Sequence, residues 1–313
     1  MEASPMPELS VIIPFCNEYP QVLFTVQNIA QELRDRVDFE IIAVNNFCEE
    51  VAKQGKKEDP GADALRATVR QNPWLKVLDF RDRLSHWQAK NLGVRESSGR
   101  VLWFCDAHCI VSRNSLSRMF WWYVGRHKRL NGTLHLPLTY KITEARRLIY
   151  KLVADLDHGW VHYSFTPYRE ASEPYSVPCM STCGMMMARD LYDELGGWPT
   201  ELGIYGGGEN FVNFTLAVLG KTVNIMPGGP LFHHGAPREY FWNYTDHKRN
   251  QIIAAYLYGG RTFAELFTQH CKGDQKVLQA VASDVFAKCA DHRRGIKDRQ
   301  KIEIGDWVRK WQK

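Results

Sequence analysis

Four short apolar runs constrain this chain more than anything else in it: "LSVIIPF" (9–15), "FEIIAV" (39–44), "LKVLDF" (75–80) and "RVLWFC" (100–105). Each has strand length, is rich in aliphatic residues and is bounded by proline or polar residues. Between them lie stretches of helical spacing. Residues 20–34 repeat apolar side chains at Val22, Val26, Ile29, Ala30 and Leu33, and a second helix is predicted over 85–97. Strands that alternate with helices of this size predict an α/β fold with a mostly parallel, doubly wound, Rossmann-like sheet. Such sheets bind ligands beyond the carboxyl ends of their strands. The polar segments "NNFCEE" and "DAHC" leave strands at that edge, whereas the charged stretch "VAKQGKKEDPGADA" reads as a loop.

The second half is less regular. A helix is predicted near 113–129 and a strand near 133–139, followed by an irregular, mobile excursion over 140–175 marked by Pro167 and Pro174. "CMSTCGMMMARDLYDELGGW" reads as strand, helix and glycine stop. "GIYGGGENFVNFTLAVLG" reads as a glycine turn feeding a buried helix, and "KTVNIMP" as another strand. From about 238 the chain reads as helical. The methionines 185–187 and the aromatic trio 120–122 are expected to pack in the core.

The 313 residues are 44% hydrophobic and 24% charged, enough for a large core without covalent staples. Eight cysteines at this dilution, without paired CxxC spacing, argue against both a disulfide scaffold and a structural zinc site. No secretory signal pattern opens the chain and no apolar window reaches membrane-spanning length. The expected location is therefore the cytoplasm, with no membrane partner. The net charge of +5 is concentrated: residues 272–313 hold 11 lysines and arginines against 6 acids. These cations, interleaved with Trp307 and Trp311, suit a phosphate backbone and stacked bases, while the plainer reading is a pair of solvated helices.

Asp106 and His108, two apart just past a strand, direct a carboxylate and an imidazole to one side. That pair suits a divalent ion of intermediate hardness such as Mn2+, which would neutralise a departing diphosphate. Glu209 follows the glycines of "GGGEN" at a helix start, where an acid is favoured and where glycine lets backbone approach a ligand closely. "LFHHG" supplies two histidines, His233 and His234, of which strand alternation lets only one face the ion.

In order, "PFCNE", "VNNF", a basic helix, "CDAHC", "GGW", "GGGEN" and "LFHHG" resemble the nucleotide-sugar glycosyltransferases of GT-A fold. Among them the series is most similar to the polypeptide N-acetylgalactosaminyltransferases, with the broader glycosyltransferase family 2 behind, over residues 9–240. The resemblance implies a GT-A catalytic domain at 1–240, with a nucleotide-sugar half (9–110), an acceptor half (111–240) and a basic helical extension at 241–313. It also implies a metal site of Asp106, His108 and His233. Asn45 or Asn46 would meet the nucleobase in place of the family's acidic pair, leaving uridine the favoured base. Arg83, and less regularly Arg238, would reach the nucleotide. Thr182, in "STCG", and Gly207 and Gly208 would line the donor sugar, and Glu209 would contact sugar or acceptor hydroxyls as a catalytic residue beside Asp106. Gly196, Gly197 and Trp198 would shape the acceptor side. The implied activity is metal-dependent transfer, with retention, of a hexose or N-acetylhexosamine from a nucleoside diphosphate, UDP above all, to an intracellular hydroxyl. Two alternatives stay open: a hydroxymethylated DNA base as acceptor, and a non-catalytic nucleotide-sugar or nucleic-acid binding module.

Overall fold

The computed structural model describes residues 7–141, 146–235 and 240–312. Arg238, a candidate nucleotide contact, lies outside these residues. The strands are β1 (Leu9–Phe15), β2 (Phe39–Asn45), β3 (Leu75–Asp79), β4 (Val101–Phe104), β5 (Cys109–Val111), β6 (Gly132–His135), β7 (Leu138–Thr139), β8 (Leu148–Asp155), β9 (Trp160–Pro167), β10 (Tyr175–Val177), β11 (Met185–Ala188), β12 (Thr222–Ile225) and β13 (Leu231–His233).

Eight strands form one mixed sheet in the order β10-β12-β6-β11-β4-β1-β2-β3. The four apolar runs that dominate the first half make one parallel portion of it, β1 pairing in parallel with β2 and β4, and β2 with β3; β12 and β6 pair in parallel as well. β1 is buried along its whole length, as expected for a strand covered by helices on both faces. The helices Gln21–Leu33 and His86–Arg95 connect these strands. Ser85 caps the second by accepting from the Gln88 backbone N–H, which satisfies one of its free amides. β11 enters antiparallel between β4 and β6, so the second half departs from a purely parallel wind. The three methionines of β11 and Phe120 are fully buried, while Trp121 is half exposed.

Two sequence expectations change. The stretch after β2 is not all loop, because it contains short helices at Glu49–Ala52 and Gly61–Thr68. The 140–175 excursion holds a regular antiparallel hairpin, β8 with β9, in register from Leu148 opposite Pro167 to Asp155 opposite Trp160. Pro167 ends its strand, a position where a missing N–H costs no ladder bond. The hairpin joins a second sheet, ordered β5-β13-β7-β8-β9, that folds over the carboxyl ends of β1 and β4.

The C-terminal helices, Tyr244–Gly259, Arg261–His270, Gln275–Lys288, Ala290–Lys297 and Ile304–Trp311, insert Ile252, Leu257, Val285, Ile296 and Val308 into the same apolar core as the sheet. Trp307 is buried edge-on against Phe214, with centroids 5.7 Å apart, and Trp311 packs beside it. Trp307 is therefore unavailable for stacking on a base, contrary to the sequence expectation. Much of the positive charge here is paired locally, in Lys288–Asp284, Arg294–Asp291, Lys297–Glu303 and Arg309–Asp306. No described helix is long and apolar enough to cross a membrane.

Candidate active site

A cavity of about 600 Å3 opens where the two sheets meet, beyond the carboxyl ends of β1 and β4. Its size suits a small-molecule ligand. One wall is Pro14, Phe15 and Cys16 at the end of β1, and the opposite wall carries Tyr163 and Phe165 of the hairpin.

Asp106 and His108 leave β4 in the turn to β5 and line this cavity. β13 pairs antiparallel with β5, which sets His233 opposite Cys109. His233 Nε2 therefore lies 3.2 Å from His108 Nε2 and 3.3 Å from Asp106 Oδ2. His234 is exposed and contributes its backbone N–H to the His108 carbonyl. Strand alternation thus separates the two histidines, and His233 is the one brought to the corner.

His108 Nε2 and Asp106 Oδ2 thus each lie within 3.3 Å of His233 Nε2, and a ligand set of two imidazole nitrogens and a carboxylate oxygen matches a divalent ion of intermediate hardness. The far side of His108 is held as well: its Nδ1 is 2.6 Å from Glu18 Oε1. A histidine whose other nitrogen donates to a carboxylate is fixed in the tautomer and orientation that ligation needs. Glu18 was not singled out from the sequence, although it stands in the quoted "PFCNE"; nothing local signals a partner 90 residues away.

Lys90 is the second missed residue. It is buried, with Nζ 3.6 Å from Asp106 Oδ1 and over the rings of Trp87 (4.8 Å) and Trp198 (5.6 Å). A buried ammonium requires such a partner. Burial raises the Asp106 carboxyl, but Lys90, then His233 and His108, outweigh it and hold the group well below the usual carboxylate range. Burial opposes the charge on His108, yet the Glu18 contact prevails and pushes it up to about 9.

Glu209 starts the helix Gly208–Val218 and faces the same cavity. Its Oε2 accepts from the Tyr163 hydroxyl, and its Oε1 accepts from Ser181 Oγ (3.0 Å) and the Thr182 N–H (3.3 Å). Burial, with the Glu209 charge, keeps the Tyr163 phenol protonated as a donor. Thr182 thus lines the cavity with its backbone bound to Glu209. Beneath it, buried His135 bonds the Ser181 carbonyl at 2.9 Å and is driven down to about 3 by burial, so it is neutral.

The glycines before Glu209 are required by packing. Gly207 lines the cavity with φ +74, and a Cβ there would stand 2.2 Å from the Asn250 carbonyl. A Cβ on Gly208 would enter the Trp87 ring at 2.3 Å, so this glycine serves the helix–ring contact behind the wall.

Other expected contacts fall elsewhere. Asn46 lines the cavity, but its amide is committed to the Phe80 and Arg83 carbonyls and to the Ser85 N–H. Asn45 stands off the cavity wall; its amide donates to Glu58 and Asp79 and accepts from the Phe47 N–H. Arg83 bonds the Thr200 carbonyl and borders a separate cavity of about 440 Å3. Gly196 and Gly197 turn the chain with positive φ after the helix Arg189–Leu195, and Trp198 is buried between Trp87 and Phe104.

Comparison with known proteins bears on the fold and the family. The rat polypeptide N-acetylgalactosaminyltransferase 10 is 24% identical over 239 residues, which cover 73% of this chain and 38% of that enzyme. N-acetylgalactosaminyltransferase 7 of Drosophila melanogaster is 26% identical over 245 residues, 73% of this chain and 39% of its own. The chain thus spans under two-fifths of the length of these relatives. Among solved structures, GalNAc-T7 with UDP, GalNAc and Mn2+ superposes with a TM-score of 0.65 at 16% identity, covering 92% of this chain and 57% of that one. The mannosyltransferase PcManGT of Pyrobaculum calidifontis, in complex with GDP-Man and Mn2+, gives 0.53 at 16% identity, with 97% and 79% covered. These superpositions establish the shared GT-A fold. The family model for glycosyl transferase family 2 matches residues 10–196, well over half of the chain, and the protein belongs to that family.

Proposed function

We propose that this protein is a metal-dependent glycosyltransferase that moves a hexose or N-acetylhexosamine from a nucleoside-diphosphate sugar, UDP-linked, to a hydroxyl group. The observation that carries the reading is the convergence of Asp106, His108 and His233 in the same cavity as Glu209. A binding module has no need of all four together. Asp106, His108 and His233 are the residues to hold a divalent ion such as Mn2+, which when bound supplies positive charge for the leaving diphosphate. Glu18 keeps His108 oriented, and Lys90 keeps Asp106 ionised and adds fixed positive charge behind it. Pro14, Phe15, Cys16 and Asn46 form the wall assigned to the nucleobase.

Glu209 is assigned to the donor sugar or acceptor hydroxyl. Three donors already occupy its carboxylate, which suits a positioning acceptor better than a group free to take a proton from the incoming hydroxyl. That commitment favours transfer with retention, in which the departing diphosphate supplies the base. The hairpin, with Tyr163 and Phe165, gives the acceptor an aromatic face.

The eight cysteines, all free and buried, support an intracellular acceptor. A hydroxymethylated DNA base is the variant suggested by the concentration of positive charge in the last 42 residues. DNA binding that weakens steeply with salt supports that variant, and salt-insensitive or absent binding removes it. The reading as a whole is tested by donor binding and hydrolysis across a nucleotide-sugar panel with and without Mn2+. Binding of a UDP-sugar only with metal supports it, and no binding to any donor sinks it.

A further inference from the structure

The turn 105–109 carries two sets of ligands. Asp106 and His108 face the cavity, while Cys105 and Cys109, on either side of them, are fully buried in the core behind it. A third cysteine, Cys183, arrives from the segment before β11. The three sulfurs all lie within 4.8 Å of one another, with Cys109 Sγ and Cys183 Sγ 3.4 Å apart. Cys183 also belongs to a second triad, because its Sγ is within 4.8 Å of the ligand atoms of Asp106 and His233.

Sulfurs bound to one zinc-sized ion at about 2.3 Å stand roughly 3.8 Å apart. The thiol cluster needs shifts of only a few tenths of an ångström, up to about 1 Å, to reach that spacing. Thiolates select soft ions, whereas the carboxylate and imidazoles next to them accept harder ones. Asp106 and His233 line the cavity, and the Cys183 sulfur, within 4.8 Å of a ligand atom of each, is the thiol nearest to that side. The shared position of Cys183 couples the two sets.

We propose that Cys105, Cys109 and Cys183 form a second metal site, for a soft divalent ion of the Zn2+ or Cd2+ class, directly behind the Asp106–His108–His233 corner. An ion bound there by three thiolates displaces their protons to solvent and involves no redox change. Because Cys183 stands between the two sets, loading of the thiol site competes with loading of the corner.

The test is titration of the reduced, metal-stripped full chain with Cd2+, read by the ultraviolet thiolate-to-metal charge-transfer band. The expected result is saturation at one Cd2+ per chain, with affinity weakened more than about 10-fold in both Cys183→Ser and Cys183→Ala, a loss at least as large as that of an outer-sphere partner. The band should persist in His233→Ala, which separates this site from the corner and from the proposed transferase activity. It should also persist in the double variant Cys16→Ser/Cys48→Ser, whose cysteines sit in a separate apolar cluster. Far-ultraviolet circular dichroism checks that each variant is folded. No band from the folded wild-type chain, or a band unchanged by both Cys183 variants, overturns the proposal.

Discussion

Two polar clusters lie at the carboxyl edge of the same sheet, and they are built on opposite principles. At the end of β2 and β3, Asn45, Glu58, Asp79 and Arg81 satisfy one another: Arg81 Nη2 meets both Glu58 Oε1 and Asp79 Oδ1 at 2.8 Å, and Asn45 bridges the two acids. At the end of β4, Asp106, His108 and His233 crowd together instead. There two imidazole nitrogens face each other at 3.2 Å, and His233 Nδ1, on the far side of its ring from Asp106, is buried without a hydrogen-bond partner among the described residues. A buried polar group left unpaired carries a desolvation penalty. The closed network holds the loop that follows β2, and the open one is arranged for something that is not protein.

That contrast is breakable by mutation. The largest effect is expected at the open corner: His233→Ala should lower Mn2+-dependent turnover by more than about 100-fold while the melting temperature stays close to wild type. Outer partners of metal ligands typically cost about 10- to 100-fold, and a ligand should exceed that. Glu18→Gln should fall within that range, with the loss in metal affinity measured by calorimetry and little change in stability. Glu209→Gln should lower kcat by about 100-fold or more, the scale of a lost transition-state contact, while metal affinity is retained.

At the closed cluster the sign of the comparison reverses. Asn45→Ala should lower stability by about 1–2 kcal/mol, the cost of buried groups left unsatisfied, and change donor KM by less than about 3-fold. A large KM effect with unchanged stability would show that Asn45 reads the base after all.

The smallest effect concerns pH. Glu40 is buried, which raises its pKa, but Lys76, the Ser98 N–H and Ser10 outweigh burial and hold it below the usual 4.5. A lowered folded value means its contribution is fully present above the unfolded pKa and is lost as pH falls through the folded one. Glu40→Gln should therefore flatten the acid limb of the denaturation curve below about pH 4.5 and leave donor binding untouched.

The parts legible in the sequence are those whose signal is local. β1 to β4 announce themselves as apolar runs, and Asp106 with His108 follows one of them directly. His233 was reached through the order of motifs, and its choice over His234 needed the pairing of β13 with β5. The hairpin was hidden by Pro167, Pro174 and its mixed composition, although Leu148, Ile149, Tyr150, Leu152 and Val153 make a strand-length run broken only by Lys151. Glu18 and Lys90 were invisible for another reason: each matters through a partner far along the chain. Arg83 borders the second cavity, and a charged residue in "RDR" carries no sign of which side of the loop it faces. Trp307 was read as surface since the apolar face of a short helix looks like an exposed stripe until a partner such as Phe214 is known.

The most direct test of the central claim is calorimetric binding of a UDP-sugar to the wild-type chain and to His233→Ala, each with Mn2+ and with chelator. The account predicts binding only for the wild type with metal. Donor binding of equal strength in chelator, or in His233→Ala, would contradict it.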